Sequence, residues 1–347
     1  MKVVLKMKSY YKEQEIVADR FLRLPIVQKY EVCERMRDGF IANIELDDGY
    51  EFTLIVYVMQ EAYPAQVMEK IRNISNDKGK YPVIAAPYIS DITAGICEKN
   101  KIGYVDYAGN AFFCGHSIYL SEKGNKNVNP NRRGLVSVFE RSAEISSLIL
   151  REIFYDISKT WKLKYLSEKV GCSVGQVSKV KDFLCRNAWA EMTPDGIKLL
   201  KPEEILAEWS RVYGKKEPDI FTCYSLDKPA DIEKKLALMK EQSDIDYYLT
   251  GFSGGVRYAP VVRYNKVHVY ISEEDIKKAL TFLECRQVPD GHNLIIYPIA
   301  TPCCIKDAHL ENGFSVVSPV QIYLDCMQLK GRGEEMAEAV MRKEILK

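Results

Sequence analysis

Apolar residues alternate with polar ones in several early stretches of the chain, then fall at three- and four-residue spacing from about residue 142 onward. The runs 39–46, 50–58 and 82–89 are rich in Ile, Val, Phe and Tyr, which predicts strands. Helical spacing over 62–74 and 90–99 places helices around the third of them, and Gly103-Tyr-Val-Asp106 predicts a further strand. Asp47-Asp48-Gly49 supplies the positive-φ position that a hairpin between the first two strands needs. The first third of the chain is therefore expected to be an α/β domain.

The later spacing gives helices. Ile145, Leu148, Ile149 and Ile153, then Leu163, Leu166 and Val170, then Val177, Val180 and Leu184 predict three short ones in close succession. Residues 121–134 are rich in Asn and Gly, show no apolar period and predict a linker. A charged helix over 203–213 leads into mixed strands and helices, with strands at 268–271 and 293–297. Two closing helices are divided at Lys330-Gly-Arg-Gly333. Four segments result: 1–122, a linker at 123–134, 135–202 and 203–347.

Between the second and third central helices, Gly171-Cys172-Ser173 is a turn of the length found in helix-turn-helix units. Ser173-Val-Gly-Gln176 has the form of a capping box, so a helix should start at Ser173. With Val177, Val180 and Leu184 inward, its outer face carries Gly175, Gln176, Ser178, Lys179 and Asp182, flanked by Lys181 and Arg186. Gln, Ser and Lys hydrogen-bond base edges or phosphates in a major groove, and a glycine lets the backbone come close. Residues 189–200 predict two strands about a Pro194-Asp195-Gly196 turn, the form of a wing. Lys162 and Lys164 before the second helix, and Lys198 on the wing, are placed for phosphates. Arg132 and Arg133 in the linker are either an arm toward DNA or solubilising charge. A plain three-helix subdomain with a solvated basic face is the bland alternative.

Charge supports the sharper reading. The net charge of the 347 residues is only +1. Residues 123–202 nevertheless hold 15 Lys and Arg against 8 Asp and Glu, a net of +7, which leaves 34 against 40, a net of −6, elsewhere. A basic module inside an acidic chain is the electrostatic footprint of nucleic-acid contact. No apolar run approaches the roughly 20 residues of a membrane span, and the first residues lack the apolar stretch of a signal peptide. A cytoplasmic protein without membrane contact is expected. The ten cysteines show no Cys-x-x-Cys, so neither a zinc cage nor a disulfide framework is signalled.

Two further segments resemble catalytic folds without their chemistry. The first domain resembles the restriction-endonuclease-like fold, through the strand ending near Asp47-Asp48, then 53–58 and 82–87. That resemblance implies an Asp followed by a strand carrying Glu-x-Lys, and those places hold Val56-Tyr-Val58. Asp47, Asp48, Glu51 and Asp106 are expected in turns or on the surface. Gly251-Phe-Ser-Gly-Gly255 resembles the Gly-Ser turn of nucleotidyltransferase-like folds, but Val261-Val-Arg-Tyr-Asn-Lys-Val267 follows where an Asp-x-Asp pair would hold magnesium. An ordinary tight turn is expected there. None of the four histidines has metal-ligand spacing, so no catalytic residue, metal or cofactor is expected.

The order of the central helices, then Tyr248-Leu-Thr-Gly-Phe-Ser-Gly-Gly255, then 317–326 and Gly331-Arg-Gly-Glu-Glu-Met-Ala-Glu338, resembles the AbiEi family. Those are regulators and antitoxins of type IV toxin–antitoxin systems in bacteria. The resemblance covers about 140–347, and some 130 residues precede the segment with which such antitoxins commonly begin. It implies a repressor of its own operon that counteracts a nucleotidyltransferase-like toxin encoded nearby. Ser318-Pro319 should open a helix, with Arg332 an anchor at a helix break. The expected fold class is α+β and multidomain: a degenerate endonuclease-like α/β domain, a central winged helix-turn-helix and a C-terminal nucleotidyltransferase-like α/β domain. Double-stranded DNA is the expected partner, with homo-oligomerisation left open. A magnesium-dependent nuclease or nucleotidyltransferase with displaced acids, and a protein–protein interaction module, are the competing classes.

Overall fold

The computed structural model describes residues 10–74, 79–127, 138–140, 144–213 and 219–347. The chain divides into two compact units, residues 1–134 with 186–188 and residues 135–185 with 189–347. Its elements are mixed α and β throughout.

In the first unit, helix α1 (Tyr11–Leu22) precedes strands β1 (Val27–Met36), β2 (Gly39–Leu46) and β3 (Glu51–Val58). Helix α2 (Pro64–Arg72), β4 (Lys80–Ala86), α3 (Asp91–Lys99), β5 (Gly103–Asp106), β6 (Ala111–Gly115) and β7 (Ile118–Glu122) follow. The seven strands lie in chain order, with β3, β4 and β5 parallel and the other neighbours antiparallel. Alternation along β4 shows how the faces are shared. Val83 and Ala85 join the core beneath α1, while Ile84 and Ala86 join the core beneath α2 and α3. Sequence pattern misses α1, β1, β6 and β7. Strand β1 carries Lys29, Glu31, Glu34 and Arg35 because it is an edge, open to water on both faces for most of its length.

The acids singled out in this unit have structural places. Asp48 accepts from the Tyr50 amide at 2.9 Å in the β2–β3 turn, where Gly49 takes φ +79°. Asp47 and Glu51 are exposed at that same end, whereas Val58 lies at the other end of β3, roughly 23 Å away at strand rise. Asp106 is buried and accepts from the amides of Ile89 at 2.9 Å and Asn110 at 2.8 Å, and from Asn110 Nδ2 at 2.8 Å. Its carboxylate orders the loops that follow β4 and β5. Ser121 and Glu122 complete β7 rather than starting a linker. Asn125 is then tied back by two hydrogen bonds with the Asn110 side chain, at 2.9 and 3.0 Å.

The second unit begins with α4 (Glu144–Phe154), α5 (Leu163–Val170), α6 (Val174–Arg186), the hairpin β8 (Ala190–Thr193) and β9 (Gly196–Leu199), and α7 (Pro202–Tyr213). A mixed seven-stranded sheet follows. It is built from β10 (Phe221–Tyr224), α8 (Pro229–Ser243), β11 (Tyr247–Leu249), α9 (Gly251–Tyr258), β12 (Val267–Ile271), α10 (Ile276–Phe282) and β13 (Arg286–Gln287). The remaining elements are β14 (Leu294–Pro298), β15 (His309–Glu311), β16 (Phe314–Val316), α11 (Pro319–Cys326) and α12 (Gly333–Val340). Strand order is β13-β10-β14-β12-β11-β16-β15.

The glycines at 251–255 open helix α9, which corrects the expectation of a tight turn. A Cβ at Gly254 would lie 2.5 Å from Ile322 Cδ1, and one at Gly255 would lie 2.7 Å from Met336 Sδ. They are small so that α9 can press against α11 and α12. Ser318 caps α11 as expected, accepting from the Gln321 amide with Pro319 in the first turn. Arg332 pairs with Glu335 and donates to the Val261 carbonyl at 3.2 Å, anchoring the loop after α9 to the start of α12.

Helix α4 joins this core through Arg151. Its guanidinium is buried, donates to Ser147 Oγ at 3.3 Å, Ser318 Oγ at 3.2 Å and Gln321 Oε1, and lies over the Trp209 ring. Gln321 passes the network to Asp325 at 2.8 Å, which also accepts from Tyr270 at 3.0 Å and Thr250 at 2.5 Å. Ile145, expected to face inward, is 38% exposed. Leu150, outside the predicted set, is fully buried in its stead.

Buried His268 on β12 makes stability depend on pH. Its Nδ1 meets the Tyr297 hydroxyl at 3.1 Å, and burial lowers its pKa from 6.5 to about 4. The unfolded chain takes up that proton near pH 6.5 and the folded chain only near 4. The contribution is therefore present above pH 6.5 and is lost as the pH falls toward 4, by up to roughly 3 kcal/mol. Denaturant titrations at pH 7 and pH 4.5 should show wild type losing more stability than His268→Gln. Parallel losses in the two proteins would show that His268 does not carry the effect.

Candidate nucleic-acid interface

Local chemistry fixes the two helices that meet at the turn. Helix α5 ends on Gly171 in the left-handed conformation, φ +73°, with its amide on the Ser167 carbonyl at 3.0 Å. The Ser167 hydroxyl closes the turn by donating to the Cys172 carbonyl at 2.7 Å. Helix α6 then opens on a reciprocal cap. The Ser173 amide donates to Gln176 Oε1 at 2.9 Å, and the Gln176 amide donates to Ser173 Oγ at 3.3 Å. Val177, Val180 and Leu184 are fully buried, as their spacing predicts.

The hairpin is held to this unit by Trp161. Its backbone exchanges two hydrogen bonds of 2.9 Å with Ile197, a single antiparallel bridge beside β9 that sequence pattern does not reveal. Gly196, at φ +135°, is obligatory there, because a Cβ would lie 2.2 Å from the Trp161 carbonyl oxygen. Phe139, Phe183, Trp189 and Trp209 pack as an aromatic cluster beneath, with centroids 5.2–6.1 Å from Phe139.

The predicted residues fall into three groups on this scaffold. Lys162, Lys179 and Lys198 are exposed and form no ion pair among the described residues, while Gly175 and Arg186 are also exposed. Lys164 lies 3.8 Å from Glu168, and Lys181 is paired with Asp182 at 2.7 Å, so their charges are partly compensated. Ser173 and Gln176 spend hydrogen-bonding capacity on the cap, and Ser178 is half-buried. Gln176 has its carbonyl oxygen engaged, and its amide protons have no partner among the described residues. A Cβ at Gly175 would meet only Ser173 Oγ, at 3.7 Å, so nothing inside the protein requires a glycine in this helix. Arg132 and Arg133 lie outside the described residues.

Two cations escaped the sequence analysis. Lys169 is exposed at the end of α5, and Lys159 sits 4.2 Å from the ring centre of its near neighbour Trp161. Among the described residues no group of His, Cys, Asp and Glu is arranged to hold a metal ion. No helix among them is long and apolar enough to cross a membrane.

These features define a mixed α and β protein with a capped two-helix turn, a hairpin beside it and uncompensated lysines around both. Residues 198–346, somewhat under half of the chain, match a family described as "Transcriptional regulator, AbiEi antitoxin, Type IV TA system". The match begins within β9, so α4, α5 and α6 precede it. Comparisons with curated proteins and with solved structures gave no match.

Proposed function

We propose that residues 144–199 act as a winged helix-turn-helix that binds double-stranded DNA. In this reading the chain is a sequence-specific transcriptional regulator, the antitoxin and autorepressor of a type IV toxin–antitoxin-like operon, and not an enzyme. The observation that carries it is the capped helix α6, whose first turn bears Gly175 and Gln176 between uncompensated Lys162, Lys179 and Lys198. A glycine without a packing reason costs helix stability, and close approach of the backbone to a ligand accounts for it. The family match over 198–346 supports the regulator role and a toxin as second partner, which this reading takes to be nucleotidyltransferase-like and encoded nearby. The same proposal takes residues 1–122 as an endonuclease-like domain without its acids, supported by the committed carboxylate of Asp106. It places the protein in the cytoplasm.

The test separates base reading from phosphate binding. A preferred site is first selected by sequencing the genomic fragments that the protein retains. Gln176→Ala should then cost about 1–3 kcal/mol on that site and relax preference at one base pair, while Lys198→Ala weakens all sequences alike. Gln176→Glu keeps the capping acceptor and so controls for loss of the helix start. Competition titrations on specific and scrambled duplexes at fixed salt give the answer. Equal losses on both duplexes for Gln176→Ala and Lys198→Ala would remove α6 as the reading element.

A further inference from the structure

The second unit holds a cavity of about 160 Å³ between the loop that follows α9 and the break that precedes α12. Four cationic side chains line it, Arg263, Lys266, Lys330 and Arg332, together with Asn265, and no carboxylate does. Of the four, Arg332 is neutralised by Glu335. Arg263 and Lys330 are exposed and have no ion pair among the described residues. Lys266 donates to His292 Nε2 at 2.9 Å, a neutral acceptor that leaves its charge uncompensated. Three uncompensated like charges lining one small cleft repel one another, and an anion that enters relieves that repulsion.

We propose that this cleft binds the phosphoryl groups of a small phosphorylated ligand, a diphosphate or the polyphosphate end of a nucleotide. Its volume is below that of sites enclosing a whole drug-sized molecule, so one or two phosphoryl groups fill it and the rest of the ligand lies outside. Arg263 and Lys330 come from segments 67 positions apart and line the cleft together with Lys266, and the Asn265 amide adds a neutral donor. Tyr264, whose hydroxyl is held by Glu233 at 2.6 Å, and Phe252 give the rim an aromatic side. Ser253, though next to the cleft in sequence, is not a ligand, because it is fully buried and its hydroxyl accepts from the His268 amide at 3.0 Å and donates to the Glu233 carboxylate. The site stands on the second unit alone and does not depend on the DNA-binding proposal.

Isothermal titration of the full chain with pyrophosphate and with ATP, at low chloride and without magnesium, tests it. One molecule of each should bind per chain. Arg263→Ala and Lys330→Ala should each weaken binding about tenfold, as loss of a charge-assisted contact does. Lys330→Glu should abolish it, and Lys277→Ala, outside the cleft on α10, should change nothing. Both altered residues are exposed, and circular dichroism verifies that the variants fold. Failure of pyrophosphate and ATP to bind at millimolar concentration overturns the proposal. So does binding that Arg263→Ala and Lys330→Ala leave intact, and so does a cleft that engages only an oligonucleotide duplex, which would make it part of a nucleic-acid surface.

Discussion

Raising salt from about 50 to about 200 mM is expected to cost this protein roughly 250- to 1000-fold in affinity for duplex DNA. Four to six phosphate contacts give a log–log slope of roughly −4 to −5, because each neutralised phosphate releases condensed counterions. The structure narrows which side chains carry that slope. Lys162, Lys179 and Lys198 have no internal partner among the described residues, so their charge is available to DNA. Lys181 must first give up Asp182. Replacing the three free lysines together by alanine should flatten the slope by about 2.7, at roughly 0.9 per contact. Replacing Lys181 should change it less. Fluorescence anisotropy across a salt series measures both, and an affinity insensitive to salt would exclude a phosphate-dominated interface.

Arg151→Ala should destabilise the second unit by on the order of 4 kcal/mol, since it opens a cavity and strands polar partners. In a unit of this size that lowers the melting temperature by about 10 °C. The guanidinium is 5% exposed and joins α4 to α11 through Ser318 and Gln321, with the Trp209 ring against it. Arg151→Met keeps the volume but removes the donors, so its loss should be smaller and its excess over wild type reports the hydrogen bonds. Calorimetry of both variants decides. Wild-type stability in Arg151→Ala would mean that α4 is held by its apolar face alone, through Ile149, Leu150 and Ile153.

Elements whose signals lie within four residues of one another were legible without coordinates. The capping box at Ser173 and Gln176, the turn at Gly171, the hairpin about Gly196 and the helix start at Ser318 all formed as their residues demand. Each is a hydrogen bond or a backbone angle set by near neighbours, and such terms survive in almost any tertiary context. Strands β2 and β3 were legible for a related reason, since burial on a sheet repeats every second residue, and β4, buried on both faces, was legible as a continuous apolar run. Edge strand β1 was not. With little of it buried, its residues carry no period to read.

By itself, then, the sequence determined the end of α5, the start of α6, the hairpin that follows, and the concentration of positive charge around them, whereas Lys164, expected ahead of α5, lies in its first turn. Tertiary structure alone buried Arg151 against Trp209, Ser318 and Gln321. It also turned Gly251-Phe-Ser-Gly-Gly255 into a helix packed on Ile322 and Met336. Asp106 was buried under three hydrogen bonds, and Arg263, Lys266 and Lys330 were gathered around one cleft. The physical reason is the same for all of these. Buried side-chain networks, helix contact and the convergence of like charges depend on distances between residues far apart in the chain. Those distances exist only once the core has closed.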